Sequence, residues 1–191
     1  MARRDDFNGN RPFLRETLDS RQDPVLGHYD DTYPFTIAKH LEWSRQANIG
    51  LWIASWTSPD DQIDSTLRNV ILPELGDMKI ALLYEVRNRV KEEDSSWDLE
   101  LVASNMVHIC RAFLYQEKYF TSHGRPVIFL ALTRVLYNKG VLESVVETMK
   151  SIASINGCAE LYIVGDQVWS SAPAEEIYSP FLVLDGVTNY D

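Results

Sequence analysis

The chain has 191 residues, 45% of them hydrophobic and 24% charged, with 18 Lys and Arg against 28 Asp and Glu and a formal charge of −10. This is the composition of one globular domain. Its most apolar stretch, Asn48 to Trp56, is far shorter than the roughly 20 residues of a membrane helix, and its acidity argues against a nucleic-acid groove, which needs clustered Lys and Arg.

Residues 1–24 are polar and broken by Asn8-Gly9-Asn10 and Arg11-Pro12, so they read as an irregular lead-in with a short helix near Phe13 to Leu18. They lack the apolar run of a secretory signal, and the compartment stays undetermined. From residue 25 to 191 the chain reads as a single α/β domain. Ile37, Leu41 and Ala47 recur at helical spacing between Thr36 and Asn48, after Pro34 in a first turn. Ile49 to Trp56 is a buried strand, in which Trp52 and Trp56 are expected to divide between the helices and the open end of the sheet. Ser58-Pro59-Asp60-Asp61 reads as a helix start with Ser58 as cap, followed by the stripe Ile63, Leu67, Val70 and Ile71.

Met78 to Val86 is the second strand. After the charged loop Lys91-Glu92-Glu93-Asp94, the spacing of Leu99, Val102, Met106, Ile109 and Phe113 predicts a long helix. Gly124-Arg125-Pro126 breaks the chain before a third strand over Val127 to Leu132. Leu142, Val145, Val146, Met149 and Ile152 form another helical stripe, ended by Asn156-Gly157. Leu161 to Val164 is the fourth strand. A short helix or turn over Pro173 to Tyr178 leads to a fifth over Phe181 to Leu184.

Alternating helices and apolar strands require a parallel sheet with crossover helices. Such a sheet is either doubly wound or closed into a barrel. No G-x-G-x-x-G or G-x-x-x-x-G-K follows any strand, which favours a (β/α) TIM-type barrel over a nucleotide fold. About five strands are visible in a chain shorter than the roughly 250 residues of an eightfold barrel, so a partial, truncated barrel is expected.

In parallel α/β folds the working residues lie at strand carboxyl ends. Here those ends carry Ser55-Trp56, Tyr84-Glu85 with Arg87, Thr133-Arg134, Asp166 with Trp169, and Asp185 followed by Tyr190-Asp191. Aromatic rings can stack on pyranose faces, while carboxylates bind hydroxyls or perform acid/base work. Structural roles remain open beside these: Asp185 as a helix cap, and Glu85 in an ion pair with Arg87 or Arg134. The four histidines have no H-x-H or H-E-x-x-H spacing, so no metal and no cofactor is expected. Cys110 and Cys158, far apart in sequence and without a C-x-x-C partner, are expected to be ordinary buried thiols.

Several blocks then resemble a known family. Pro24 to Asp31, Thr36 to Gly50 and Leu51 to Trp56, followed by Met78 to Ala81 with Tyr84-Glu85, His123 to Phe129 and Leu184 to Tyr190, are similar in order to the glycoside hydrolase family 99-like group of endo-α-mannosidases and endo-α-mannanases. The resemblance implies a (β/α)₈ barrel acting with retention on α-linked mannosides or related polysaccharides, in relatives that are often secretory or periplasmic. It implies sugar stacking by Trp56, hydroxyl binding by Glu85 and a substrate contact at Tyr190. The remaining candidate contacts are Tyr29, Tyr84, Arg134 and Asp166. At the second strand the group commonly has His-x-Glu-Pro-Tyr, where this chain has Leu83-Tyr84-Glu85-Val86-Arg87. The group's opening aromatic strand and its Asn-Glu-Trp-x-Glu carboxylate segment have no counterpart here. Catalytic residues therefore stay unassigned, with Glu85, Asp166 and Asp191 as candidates.

The expected partner is an oligo- or polysaccharide, with self-association through unclosed sheet edges and neither nucleic acid nor a membrane span. Three readings stay open: a glycosidase portion, a non-catalytic carbohydrate-binding pseudoenzyme, and an unrelated α/β hydrolase pairing Glu85 with Asp166 or Asp191.

Overall fold

A computed structural model of the protein describes residues 25–27, 29–86, 97–166 and 182–188. The lead-in over 1–24, the charged loop at Lys91 to Asp94 and the turn over Pro173 to Tyr178 lie outside the described residues.

Helix α1 (Pro34–Gln46) carries a proline in its first turn, where a missing N–H costs nothing, and buries Ile37 and Leu41. Strand β1 (Leu51–Trp56) follows. The next helix starts later than the Ser58-Pro59 pattern predicts. Its cap is Asp61, which accepts the Asp64 N–H at 2.7 Å, and α2 covers Gln62–Thr66. A carboxylate accepts that N–H more strongly than a hydroxyl does, and Ser58 donates to Asp61 Oδ2 instead, at 3.0 Å. Helix α2 widens into a π-helical turn (Leu67–Ile71) before α3 (Leu72–Glu74), with the Leu72 N–H reaching back to Leu67 O. Pro73 explains the widening, because its ring and missing N–H are incompatible with a regular α-turn inside a helix.

Strand β2 (Lys79–Tyr84) leads to α4 (Leu99–Ile109), capped by Asp98 and prolonged by a second π-helical turn (Cys110–Leu114). The break predicted around Gly124 is a hairpin turn. His123 and Gly124, at φ 52° and 76°, join β3 (Thr121–Ser122) to β4 (Arg125–Leu130). Positive φ at both central residues matches the twist of the flanking strands. Strand β4 ends before Leu132, which adopts a left-handed conformation (φ 58°, ψ 34°) and starts α5 (Thr133–Asn138), a helix absent from the sequence reading. Helix α6 (Leu142–Ile155) and β5 (Tyr162–Asp166) follow. The last strand, β6, is Gly186–Thr188 rather than Phe181 to Leu184.

The five parallel strands run in the order β1-β2-β4-β5-β6, with β3 antiparallel on β4. This order advances in one direction along the chain. Doubly wound sheets reverse direction and cover both faces, whereas a sheet that never reverses collects its crossover helices on one side, as in a barrel wall. The burial follows suit. Trp56, Ile80, Leu82, Tyr84, Ile128, Leu130 and Ile163 share one core with Leu41, Met106, Ile109, Val145 and Met149 of the helices. The alternate strand positions Ala81, Leu83 and Val127 are buried outside that cluster, Phe129 and Val164 are half-buried, and Ile53 is 48% exposed. The architecture is a partial (β/α) barrel. Among the described residues, β1 pairs with β2 alone and β6 with β5 alone. No described helix is long and apolar enough to cross a membrane.

The fold brings the two distant cysteines together. Cys110 is fully buried, and burial, followed by hydrogen bonding with Cys158, pushes its thiol up to about 12. Both are free thiols, and of the two expected to be buried, Cys110 is and Cys158 is half-buried.

One close approach depends on glycine. A Cβ at Gly165 would lie 2.5 Å from Leu184 Cδ1 and 2.9 Å from Thr133 Cγ2. The Leu184 tip can swing away, but Thr133 is β-branched and its hydroxyl is tied to Asp166. Gly165→Ala is expected to lower the stability by about 1–3 kcal/mol through overpacking. The measurement is the urea midpoint, and an unchanged value would show that the β5–α5 contact relaxes freely.

Candidate functional site

Because the five strands are parallel, their carboxyl ends gather along one rim: Ser55, Glu85, Ala131, Asp166 and Thr188. Ser55 and Glu85 occupy strand positions that alternate away from the helices, in register with Leu83. Glu85 Oε1 accepts from Ser55 Oγ at 3.3 Å, and its N–H donates to Trp56 O at 3.0 Å. Ser55 is the one described side chain that hydrogen-bonds this half-buried carboxylate, which leaves further lone pairs for hydroxyl donors. Arg134, the ion-pair partner considered for it, is exposed on α5.

Asp166 reaches the same rim but is otherwise employed. Its Oδ2 accepts the Leu132 N–H at 2.7 Å, and its Oδ1 accepts the Thr133 N–H at 2.8 Å and the Thr133 hydroxyl at 3.0 Å. The Thr133 hydroxyl proton is shared between Oδ1 and the Asp166 carbonyl. Both carboxylate oxygens thus cap α5 from a neighbouring strand. They hold Leu132 in a left-handed turn that costs a non-glycine residue roughly 1–2 kcal/mol. Asp166 is 6% exposed.

The expectation that Trp56 and Tyr84 line the open end is corrected: both are fully buried against the helices. Trp52 faces the helices as well, donating to Ser44 of α1 at 2.9 Å. Residues four apart on a strand share a face, so the two tryptophans cannot divide as the sequence reading has it. The Trp56 ring stacks between Tyr84 and His108, at centroid distances of 5.7 and 6.0 Å. Its indole N–H donates to Asp64 Oδ1 at 2.8 Å, an atom shared with His108 Nε2 at 2.9 Å. Arg68 Nε and the Asp60 N–H bind the other carboxylate oxygen at 2.8 and 3.1 Å. The sequence reading missed Asp64 and His108. The signal available for Asp64 was Asp61-x-x-Asp64 followed by Arg68 one helical turn later. His108 carries no local signal, since its partner is 44 residues away.

Asp185 belongs to the opposite rim. It precedes β6, pairs with Arg125 at 2.7 Å and Lys150 at 3.0 Å, and accepts the Ile163 N–H at 3.0 Å. Carboxylates at strand amino ends support a barrel rather than its chemistry. Tyr29 packs edge-on against His40 of α1, with centroids 5.3 Å apart. Arg87, Trp169, Tyr190 and Asp191 lie outside the described residues. Among the described residues no three His, Cys, Asp or Glu side chains converge as a metal set.

No family model and no curated protein matches the sequence. Solved structures match the fold. The GH99 endo-alpha-mannosidase from Bacteroides thetaiotaomicron, in complex with BIS-TRIS-Propane, superposes with a TM-score of 0.67 at 18% identity, over 88% of this chain and 50% of that one. A second structure of the GH99 endo-alpha-mannosidase from this organism gives 0.62 at 19% identity, over 88% and 47%. A glycoside hydrolase-like protein gives 0.55 at 16% identity, over 76% and 47%. At these identities the likeness is one of fold, and the chain spans about half the length of each structure. The resemblance read from the motifs and the likeness of the folds point to the same group.

Beside the exposed Glu42, which the Lys39 ammonium holds down, three aspartates are held below the usual carboxylate range. For Asp64, burial alone would raise the pKa, but hydrogen bonds from Trp56, His108, Arg68 and the Asp60 N–H outweigh it. For Asp185, burial is likewise outweighed, by the Ile163 N–H, Arg125 and Lys150. For Asp61, the Asp64 N–H and the Thr57 and Ser58 hydroxyls do the same. Each folded value lies below the unfolded value of about 3.9, so the unfolded chain binds more protons as acid is added. The stability they contribute is present above about pH 4 and is lost as pH falls through the depressed folded values. Urea midpoints are expected to be level from neutral pH down to about 5 and to fall steeply below about 4, with a shallower acid limb in Asp185→Asn. An identical acid limb in that variant would remove Asp185 from the account.

Proposed function

We propose that this chain is a glycoside hydrolase-like barrel segment whose strand carboxyl ends bind α-mannoside-type glycans or related polysaccharides without turning them over. The observation that carries this reading is Glu85: a half-buried carboxylate on the helix-free side of a strand end, steadied by Ser55, in a fold shared with GH99 endo-alpha-mannosidases. Its remaining lone pairs suit a pair of sugar hydroxyls. Arg134 and Tyr190 complete the proposed contacts.

The described carboxylates of the rim support the reading without turnover. Retaining glycosidases generally use two carboxyl groups about 5 Å apart, one of which must donate or accept a proton. Asp166, the other described candidate, has both oxygens engaged in capping α5. Rupturing that cap to free the carboxylate would also release the strained turn at Leu132.

The sheet edges left open among the described residues support a second property, self-association. The outer edges of β1 and β6 have no described strand partner and present backbone donors and acceptors for pairing. Sedimentation velocity is expected to show a dimer or larger species, and a clean monomer opposes this.

Calorimetric titration with mannose oligosaccharides tests the binding. Saturable binding is expected, weakened about tenfold by Glu85→Gln, as for loss of one charge-assisted hydrogen bond. An activated α-mannoside is expected to remain uncleaved. Absence of binding overturns the glycan reading, while turnover abolished by Glu85→Gln would replace it with a catalytic one.

A further inference from the structure

A groove of about 660 Å³ lies on the helix layer, between the α2–α3 segment and α4. Its size is that of a small-molecule site. Its polar lining is Arg68, Ser104, His108, Arg111, Gln116 and Lys118, over an apolar floor that includes Leu72 and Val107. No Asp or Glu lines it, in a chain that carries 28 of them and a net charge of −10.

The cations in this groove are unequal. Arg68 is committed to Asp60 and Asp64 at 2.8 Å each. His108 is tied through Nε2 to Asp64. Arg111 and Lys118 have no hydrogen bond or ion pair with any described side chain, so two full positive charges face the groove without compensation. Unbalanced cations lining one groove repel each other, and a carboxylate in the lining would be the ordinary remedy. Its absence here leaves room for an external anion.

The backbone adds an independent observation. Both described π-helical turns border this groove: Arg68 stands on the first, which Pro73 accounts for, and Arg111 with Ala112 on the second, which no proline accounts for. Single π-turns are uncommon in helices and frequently mark functional positions, because the inserted residue rotates the side chains that follow it. Here the second turn continues the α4 face Ser104-His108 into Arg111, while the chain leaving that turn contributes Gln116 and Lys118.

We infer that this groove is a binding site for a small molecule bearing a phosphate- or sulfate-type oxyanion, held by Arg111 and Lys118. The guanidinium of Arg111 can engage two oxyanion oxygens at once, and the Lys118 ammonium supplies a point charge. The Gln116 amide, which donates one N–H to Ala112 O at 3.3 Å, keeps a second for an ester or bridging oxygen, and the Leu72 and Val107 floor suits an organic body attached to the anion. The groove belongs to the helix layer rather than to the strand-end rim, so it is independent of the glycan reading.

The test uses the full chain and three probes: inorganic pyrophosphate, inorganic sulfate and glucose 6-phosphate, each titrated calorimetrically in about 0.15 M salt, where diffuse surface attraction is largely screened. Saturable binding of at least one probe is expected, weakened about tenfold or more in Arg111→Gln/Lys118→Gln. Tighter binding of glucose 6-phosphate than of the inorganic anions identifies an organic phosphate as the ligand class, and the reverse order identifies a free inorganic anion. Arg111 is exposed and neither cation is paired with a described group, so the variant is expected to keep the wild-type urea midpoint, which is measured alongside. Failure of all three probes to saturate, or equal binding by wild type and variant, overturns the inference.

Discussion

A parallel sheet wound in one direction assigns every strand side chain to one of two environments, and the remaining features of this protein follow from that division. The crossover helices occupy one face, so one alternate set of strand residues, Trp52, Trp56, Ile80, Leu82, Tyr84, Ile128, Leu130 and Ile163, meets α1, α4 and α6. The other set, including Ser55, Leu83, Glu85 and Phe129, meets the side that a complete barrel would enclose. A shift of one residue in register exchanges the sets. Whether a rim side chain is packing or is free to meet a ligand is therefore decided by parity along the strand before its chemistry matters. Parity is what removes Trp56 and Tyr84 from the rim and leaves Glu85 on it.

Carboxylates then carry much of the internal organisation. Asp64 is fully buried, and an ionised carboxylate in that position is tolerable only because Trp56, His108, Arg68 and the Asp60 N–H all donate to it. Removing one partner of such a buried pair costs about 3–5 kcal/mol, since the other charge is left uncompensated. Asp166 performs the matching task between β5 and α5, and Asp185 ties β6 to Arg125 and Lys150 at the other rim. Of the acidic groups offered by the sequence as chemistry, Asp166 and Asp185 are thus committed to architecture. Glu85 is the described rim carboxylate with acceptor capacity in reserve.

The same charge distribution explains why the cationic groove stands out. Arg45 and Arg125 elsewhere, and Arg68 within the groove, each form an ion pair with a carboxylate, whereas Arg111 and Lys118 form none among the described residues. Asp64 connects the two regions physically, because it holds Trp56 beneath the carboxyl end of β1 and His108 at the wall of the groove. The two regions nevertheless present opposite chemistry, an acceptor at the rim and donors on the helix layer, and so address different ligands.

Much of the fold was legible in the sequence. The apolar runs at Leu51–Trp56, Lys79–Tyr84 and Tyr162–Asp166, and the helical stripes through Met106 and Met149, are local patterns, and local patterns set element type. Their alternation implied a parallel sheet, and the missing glycine signatures favoured a barrel. What remained hidden depends on contacts between segments distant in the chain. Helix α5 is short and weakly patterned, and its turn is secured by Asp166, 33 residues beyond Thr133. The assignment of Trp56 to a buried stack, the pairing of Asp64 with His108 and the juxtaposition of Arg111 with Arg68 likewise arise only when the helices settle on one face of the sheet. Sequence by itself determined which segments become strands and helices, because hydrophobic periodicity is a property of neighbouring residues. Only the tertiary structure decided which polar groups remain available to a ligand, because that depends on which partners packing brings within hydrogen-bonding distance.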